Sequence, residues 1–154
     1  QGWQDLLAWQ ADAQDTVVGL SASGTTPYVV GALEDARKQG LLTAGLTCNP
    51  GSPVAQVAQH ALVAPTGPEF ITGSTRMKAG TAQKMLLNMI STTAMIRLGR
   101  VQGNKMVDMQ LTNAKLLDRG ARIIARSAGL PYDQAAEVLQ AHGSVRKALA
   151  ALRA

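Results

Sequence analysis

A short apolar strand followed at once by a loop of small hydroxyl residues constrains this fold more than any other feature. Thr16–Leu20 (TVVGL) is apolar and β-branched, and Ser21–Thr26 (SASGTT) follows it without a spacer. Pro27 suits the first turn of a helix, and apolar residues recur at three- and four-residue steps from there to Gln39. The pattern predicts a buried strand, a tight loop and a helix in succession.

The same order of elements repeats further along the chain. Leu42–Thr47 predicts a second strand, Pro53–Gln59 a short helix and Ala61–Ala64 a third strand. Parallel strands need crossover connections, and right-handed crossovers place helices on the faces of a sheet. The sequence therefore predicts an α/β fold, with a parallel sheet and helices packed on its faces.

The remainder of the chain is helical by composition. Ser74–Leu98 predicts a long helix, and its part from Met85 to Leu98 is apolar nearly all round, which is typical of a buried helix. A second helical stretch is expected over Val107–Ser127, followed by short helices at Tyr132–Gln140 and Ser144–Leu152. We expect these last pieces to form a small three-helix appendage.

Length and composition limit the possible classes of protein. The chain of 154 residues, 46% of them apolar, suits one domain at residues 1–106 and a helical region at 107–154. No apolar run approaches the roughly 20 residues that cross a bilayer, so no membrane partner is expected. A single cysteine, Cys48, excludes an internal disulfide framework and favours a reducing compartment. The start at Gln1 rather than at methionine predicts a processed chain or a fragment.

The net charge of +5 is concentrated in the last part of the chain. Up to Ala114 there are eight basic and seven acidic residues, so the remaining +4 lies between Lys115 and Ala154. The basic residues there recur at helical spacing, which is typical of a solvated helix face. Because only 3% of the residues are aromatic, few side chains are available to stack on bases. We therefore expect no nucleic-acid partner.

The loop after the first strand has the properties of an anion site. A helix N-terminus presents backbone N–H groups and the positive end of the helix dipole. The hydroxyls of Ser21, Ser23 and Thr26 add donors, and Gly24 lets the backbone come close. Thr25 stands where a nucleotide-binding P-loop has lysine, so one phosphomonoester is favoured over a triphosphate. The alternative is a tight strand-to-helix turn without a ligand.

A second concentration of polar residues, Thr66–Thr81, opens the long helix. Glu69, Ser74, Arg76 and Lys78 gather at the start of a helix that is otherwise apolar, which predicts a small pocket for a polar substrate. Ordinary helix capping by Ser74 is the alternative interpretation. Glu69 is a candidate general acid or base, although its pKa cannot be read from the sequence.

Other reactive side chains lack the companions that a metal or nucleophile site requires. His60 and His142 have no metal-ligand partner at helical or zinc-ribbon spacing. Cys48 has no histidine nearby. The sequence indicates no metal and no cofactor.

Five stretches together resemble the N-acetylmuramic acid 6-phosphate etherase family. They are VVGLSASGTTPYV (17–29), CNPGSP (48–53), TGPE (66–69), TGSTRMKAGTAQK (72–84) and GNKMVD (103–108). The resemblance covers essentially the whole chain as the carboxyl-terminal half of that family. It implies a partial sugar isomerase (SIS) type domain followed by a small helical region similar to ubiquitin-associated (UBA) domains.

The resemblance also implies a reaction. Members of the family are carbon–oxygen lyases of peptidoglycan recycling. They cleave the lactyl ether of N-acetylmuramic acid 6-phosphate to N-acetylglucosamine 6-phosphate and D-lactate without a metal. A base removes the C2 proton of the open-chain aldehyde, lactate leaves C3, and water adds to the unsaturated aldehyde. The family works as a cytoplasmic homodimer, so we expect a homodimer or association with the missing amino-terminal half.

The resemblance assigns residues only in part. It implies phosphate contacts from Ser21, Ser23 and Thr26 and a substrate pocket in the signature stretch, which contains Glu69, Ser74, Arg76 and Lys78. The family commonly has arginine where this chain has Thr25. Its first hydroxyl loop and its two catalytic glutamates lie in the amino-terminal half, which has no counterpart here. The catalytic acid and base are therefore not assigned.

Two alternative functions remain open at this point. A non-catalytic sugar-phosphate-binding regulator, similar to the glucokinase regulatory proteins, would need the phosphate loop but no catalytic glutamates. An aldose–ketose isomerase of the same fold would use Glu69 as its base.

Overall fold

The computed structural model of the chain describes residues 1–153. They form two compact units, one over residues 1–89 and the other from Ile90 onward. The limit of a compact unit is not by itself the limit of a domain, so the boundary expected after residue 106 stays a prediction.

The first unit alternates strands and helices. Its elements are α1 (Gly2–Ala8), β1 (Thr16–Leu20), α2 (Pro27–Lys38), β2 (Leu42–Thr47), α3 (Pro53–Val57), β3 (His60–Val63) and the beginning of α4 (Lys78–Arg97). The three strands and the helices α2 and α3 lie where the sequence predicts them, within one to two residues. The helix α1 is an addition that the sequence did not predict.

The strands form one parallel sheet in the order β1-β2-β3. Gly19 of β1 pairs with Gly45 of β2, and Leu46 of β2 pairs with Leu62 of β3. The predicted α/β fold with a parallel sheet is thereby confirmed. Since parallel strands end at the same edge, the segments that follow β1 and β3 leave the sheet on the same side, with the end of β2 between them.

Helix packing on this sheet depends on small residues in the strands. Leu33 of α2 and Val54 of α3 are fully buried against it. A Cβ on Gly19 would lie 2.7 Å from Leu33 Cδ1, and one on Gly45 would lie 2.6 Å from the carbonyl oxygen of Val54. The two glycines therefore allow the helices to approach the strands closely.

The second unit contains the end of α4, a short hairpin and three further helices. Its further elements are β4 (Val101–Gln102), antiparallel to β5 (Lys105–Met106), then α5 (Ala114–Ala128), α6 (Tyr132–His142) and α7 (Val145–Ala151). The three helices pack around Ile124, Leu139 and Val145, which are almost entirely buried. Gly129 and Gly143 end α5 and α6 in the left-handed conformation. The expected three-helix arrangement is present.

One predicted helix start in this unit is wrong. The stretch expected to be helical from Val107 becomes α5 only at Ala114. Asn113 is the N-cap, and its side chain accepts a hydrogen bond from the backbone N–H of Leu116. At the predicted start, the backbone N–H of Val107 instead donates to the carbonyl of Arg100 at 3.1 Å, across the base of the β4–β5 hairpin.

The prediction of a buried helix from Ser74 to Leu98 is wrong in two respects. The helix α4 begins at Lys78, and Ala79 is its only buried member among the residues described. Met89 is 53% exposed, Ile96 52% and Leu98 67%. A helix that is apolar all round is buried only where another surface covers it, and residues 1–153 leave most of α4 uncovered.

None of the helices described for residues 1–153 is both long enough and apolar enough to cross a bilayer.

Candidate functional site

The loop Ser21–Thr26 lies at the carboxyl end of β1 and is anchored to the end of β2. The backbone N–H of Ser21 donates to the carbonyl of Leu46 at 3.0 Å, and that of Cys48 donates to the carbonyl of Ala22 at 3.0 Å. The sheet therefore holds the loop at the edge where ligands of open α/β sheets bind.

The predicted phosphate-binding residues form one connected group of hydroxyls. Ser21 Oγ lies 2.8 Å from Thr26 Oγ1 and 3.4 Å from Ser23 Oγ. Ser23 Oγ in turn lies 2.9 Å from Thr25 Oγ1, and the backbone N–H of Gly24 donates to Ser21 Oγ at 3.0 Å. Ser21 is buried, Ser23 is half-buried and Thr26 is exposed, so the group opens toward solvent on one side.

Gly24 has a conformation and an environment that suit no other residue. Its φ is +71°, which favours glycine. A Cβ there would collide with the side chain of Ser52 and would lie 2.6 Å from Thr47 Oγ1. The carbonyl of Gly24 accepts a hydrogen bond from the backbone N–H of Val54 at 3.0 Å. The loop is thus packed directly against the β2–α3 connection.

The start of α2 offers unpaired donors beside these hydroxyls. Thr26 is the N-cap without a side-chain capping bond, and Pro27 occupies the first turn. Within residues 1–153, the backbone N–H groups of Thr26 and Tyr28 have no acceptor. Together with the positive end of the helix dipole, they give the loop the chemistry of an anion site.

The carboxylate of Glu69 caps α4 rather than standing free. Its Oε2 accepts the backbone N–H of Lys78 at 3.1 Å, and its Oε1 accepts that of Ala79 at 3.0 Å. These bonds, that of Ala79 foremost and then that of Lys78, lower the pKa of Glu69. A carboxylate with a lowered pKa and both oxygens engaged is a poorer general base than a free one.

The other residues predicted for the substrate pocket lie on the segment between Glu69 and α4. The ammonium of Lys78 donates to the carbonyl of Pro68 at 3.0 Å, which ties both ends of the segment together. Ser74 and Arg76 take part through their backbones only, and among the residues described their side chains have no hydrogen-bond or ionic partner. The structure therefore brings Glu69 and Lys78 together but leaves Ser74 and Arg76 separate.

The two predicted groups of residues follow β1 and β3, with β2 between them, and do not form one hydrogen-bonded site. Within residues 1–153 no hydrogen bond joins Ser21–Thr26 to Glu69–Lys78. The connection between them runs through the end of β2, where Cys48 Sγ lies 3.9 Å from the carbonyl oxygen of Ala79.

A set of polar residues at the end of β2, which the sequence patterns did not indicate, supports the loop. Asn49 Nδ2 donates to the carbonyl of Ser23 at 3.0 Å, and the backbone N–H of Asn49 donates to Thr47 Oγ1 at 3.2 Å. Ser52 Oγ lies 3.3 Å from Thr47 Oγ1, and both residues are buried. The available signal was the position of these polar residues at the end of the neighbouring parallel strand.

Among the residues described, no group of three or more His, Cys, Asp or Glu side chains has an arrangement that would hold a metal ion. His60 is exposed on β3, and Cys48 is buried with a free thiol.

Comparison with known proteins identifies a family and a set of close relatives. Residues 6–93 match the family described as SIS domain. Proteins named N-acetylmuramic acid 6-phosphate etherase are similar over nearly the whole chain. The protein from Bacteroides thetaiotaomicron is 56% identical over 99% of this chain and 55% of its own length. The protein from Christiangramia forsetii is 55% identical over 97% of this chain and 54% of its own length. The protein from Porphyromonas gingivalis is 56% identical over 95% of this chain and 53% of its own length. The chain thus spans about half the length of these curated relatives.

Proposed function

This chain belongs to the SIS domain family, and on that premise we propose that it forms the phosphate-binding half of an N-acetylmuramic acid 6-phosphate etherase. The observation that carries the proposal is the group of hydroxyls on Ser21, Ser23 and Thr26 at the start of α2. Relatives of that name, 54–56% identical over nearly the whole chain, support the choice of substrate.

The phosphate group of the substrate would bind at this loop. Phosphate oxygens accept hydrogen bonds, and the loop supplies hydroxyl donors together with the backbone N–H groups of Thr26 and Tyr28. One phosphomonoester has three oxygens free to accept bonds, which suits a compact group of this kind. Binding there would fix the far end of the sugar while the reaction takes place at C2 and C3.

The whole protein would act as a carbon–oxygen lyase. A base takes the C2 proton, which the aldehyde carbonyl acidifies, and the C3–O bond breaks so that D-lactate leaves with a proton from a general acid. Water then adds across the C2–C3 double bond to give N-acetylglucosamine 6-phosphate. We assign neither acid nor base to this chain, because the carboxylate of Glu69 is engaged in capping α4. Arg76 and Lys78 are proposed as cations near the substrate.

We further propose that the cytoplasmic protein is a homodimer, or associates with a further segment, through α4. The exposed apolar side chains of Met89 and Ile96 support this, because contiguous apolar surface of that kind marks association sites. The helices α5, α6 and α7 are proposed to form a UBA-like region. Sedimentation of the chain as a monomer, unchanged when Ile96 is replaced by Glu, would argue against association through α4.

Calorimetric titration with N-acetylglucosamine 6-phosphate tests the phosphate site directly. Ser23→Ala should weaken binding by roughly 10- to 100-fold, as expected for a lost hydrogen bond to a charged group. Ser127→Ala is the matched control. Ser127 lies on α5, and its hydroxyl accepts a hydrogen bond from the ammonium of Lys105. Absence of binding to any hexose 6-phosphate would refute the proposed phosphate site.

Release of D-lactate distinguishes the etherase from the alternative functions. The full-length protein should release D-lactate from N-acetylmuramic acid 6-phosphate. Sugar-phosphate binding without such release would favour a regulator instead. Aldose–ketose isomerase activity that disappears in Glu69→Gln would favour the isomerase, although the engaged carboxylate of Glu69 argues against that role.

A further inference from the structure

The helix α5 carries a stripe of basic side chains that the proposed function does not use. Lys115, Arg119, Arg122 and Arg126 follow one another at steps of four, three and four residues, so they share one face of the helix. All four are exposed. At 1.5 Å per residue the stripe is about 16 Å long.

A groove runs along this stripe. It has a volume of about 500 Å³, and its opposite side comes from the β4–β5 hairpin. Lys105 of the hairpin faces the groove and is held in place by a hydrogen bond from its ammonium to Ser127 Oγ at 3.0 Å. The lining residues are Asn104, Lys105, Lys115, Asp118, Arg119, Arg122, Ile123 and Arg126.

Most of the positive charge in this groove is uncompensated. Asp118 is the single carboxylate among the lining residues, and it pairs with Arg122 at 2.9 Å. The guanidinium of Arg122 also lies over the ring of Tyr132, 5.4 Å from its centre. Within residues 1–153, the side chains of Lys115, Arg119 and Arg126 have no ionic partner.

The distribution of charge along the chain supports a role for this groove. From Ile90 onward the sequence has ten basic and four acidic side chains, whereas the part before it has five basic and six acidic ones. The phosphate loop lies in the first, nearly neutral unit. The excess positive charge is therefore not explained by binding of the sugar phosphate.

We propose that this groove binds an extended acidic polypeptide segment of a partner protein. Guanidinium groups pair with carboxylates in a bidentate manner. Side chains on one side of an extended peptide recur about every 7 Å, which is similar to the step of about 6 Å between basic residues four positions apart on α5. The uncompensated charges and the length of the basic stripe are complementary to such a segment.

Other anionic ligands fit the groove less well. A single phosphomonoester would use only a small part of a stripe that is about 16 Å long. A single-stranded nucleic acid would gain from aromatic stacking, but Tyr132 is the only aromatic residue from Ile90 onward and Arg122 covers its ring. The major groove of a DNA duplex admits a protruding helix or β-ribbon, whereas the basic residues here line a concave surface.

Fluorescence polarisation with a labelled oligoglutamate of about six residues, roughly 20 Å long when extended, tests the proposal on the whole chain. The wild type should bind the peptide, and binding should weaken as salt is raised because ionic contacts are screened. The double variant Arg119→Glu with Arg126→Glu should bind at least about tenfold more weakly. The milder pair Arg119→Gln with Arg126→Gln should weaken binding in the same direction.

Lys147→Glu lowers the net charge by two, as the pair Arg119→Gln with Arg126→Gln does, and is the matched control for that pair. Lys147 is exposed on α7 outside the groove, and a Glu near the start of a helix is well tolerated. Circular dichroism of each variant checks that the helices are retained. The proposal would be overturned if the wild type did not bind the peptide, or if Lys147→Glu weakened peptide binding as much as the Arg119 and Arg126 variants do. It would also be overturned if an oligonucleotide of matched charge bound more tightly than the peptide.

Discussion

Arg146 holds both carboxylate oxygens of Asp108. Its Nε donates to Oδ1 at 2.6 Å and its Nη2 donates to Oδ2 at 2.7 Å, which links α7 to the segment that follows the β4–β5 hairpin. The hydrogen bonds from Arg146 and, less strongly, the nearby positive charges lower the pKa of Asp108. A bidentate pair of this kind fixes geometry as well as contributing attraction.

The Asp108–Arg146 pair predicts a pH dependence of stability. Since the pKa of Asp108 is lower in the folded chain than in the unfolded one, the stabilisation is present above about pH 4 and is lost as the pH falls through the folded value. Asp108→Asn should lower the urea midpoint at neutral pH. It should also weaken the dependence of that midpoint on pH in the acid range. An acid dependence identical to that of the wild type would contradict this assignment.

Gly24→Ala should destabilise the first unit and disrupt the loop Ser21–Thr26. An alanine at φ +71° costs about 1–2 kcal/mol, and the collision of its Cβ with the side chains of Ser52 and Thr47 adds to this. Gly31→Ala on α2 is the matched control, because its Cβ would meet no heavy atom within 4 Å. The control should be neutral or stabilise by up to about 1 kcal/mol in urea unfolding. Equal effects of the two substitutions would exclude the proposed collision.

Glu69→Gln should loosen the start of α4. The amide retains only one acceptor oxygen for the backbone N–H groups of Lys78 and Ala79. Hydrogen exchange at these two amides should be roughly tenfold faster than in the wild type. Protonation of Glu69 would weaken the same two hydrogen bonds in the wild type. Because the pKa of Glu69 is lowered in the folded chain, this loosening of α4 should begin only as the pH falls through that folded pKa. Glu34→Gln on α2 is the control and should leave exchange at these amides unchanged.

Leu139→Ala should remove much of the packing of the second unit. Leu139 is 2% exposed between α5, α6 and α7, so the substitution should cost about 2–5 kcal/mol in chemical unfolding. Leu117→Ala is the same change at a helical position that is 45% exposed, and it should cost less than about 1 kcal/mol. A cost below about 1 kcal/mol at Leu139 as well would mean that this core contributes little to stability.

Local patterns were sufficient to predict the alternation of strands and helices. Neighbouring residues determine the strand Thr16–Leu20, the loop with Gly24 and the helix after Pro27. They also determine the ends of α5 and α6, at Gly129 and Gly143. The hydroxyl loop could be predicted as a group for the same reason, because its members are adjacent in sequence.

Features that depend on distant residues could not be read from the sequence. The start of α4 is set by Glu69, which lies nine residues before Lys78, outside the range of an ordinary capping pattern. The support of the loop by Asn49 arises only when β2 pairs beside β1. The exposure of Ile96 reflects which surfaces are available to cover α4, and no property of that helix alone determines this.

The hydroxyls of Ser21–Thr26, the loop proposed to bind phosphate, hydrogen-bond to one another. Ser21 pairs with Thr26, and Ser23 pairs with Thr25. A hydroxyl hydrogen turns about a single C–O bond, so each group can change its partner while the backbone stays in place. An incoming phosphate would meet a loop that is already formed, and its departure would restore the original pairs. The loop would therefore return to its original hydrogen bonds by rotation about C–O bonds alone each time a phosphate left it.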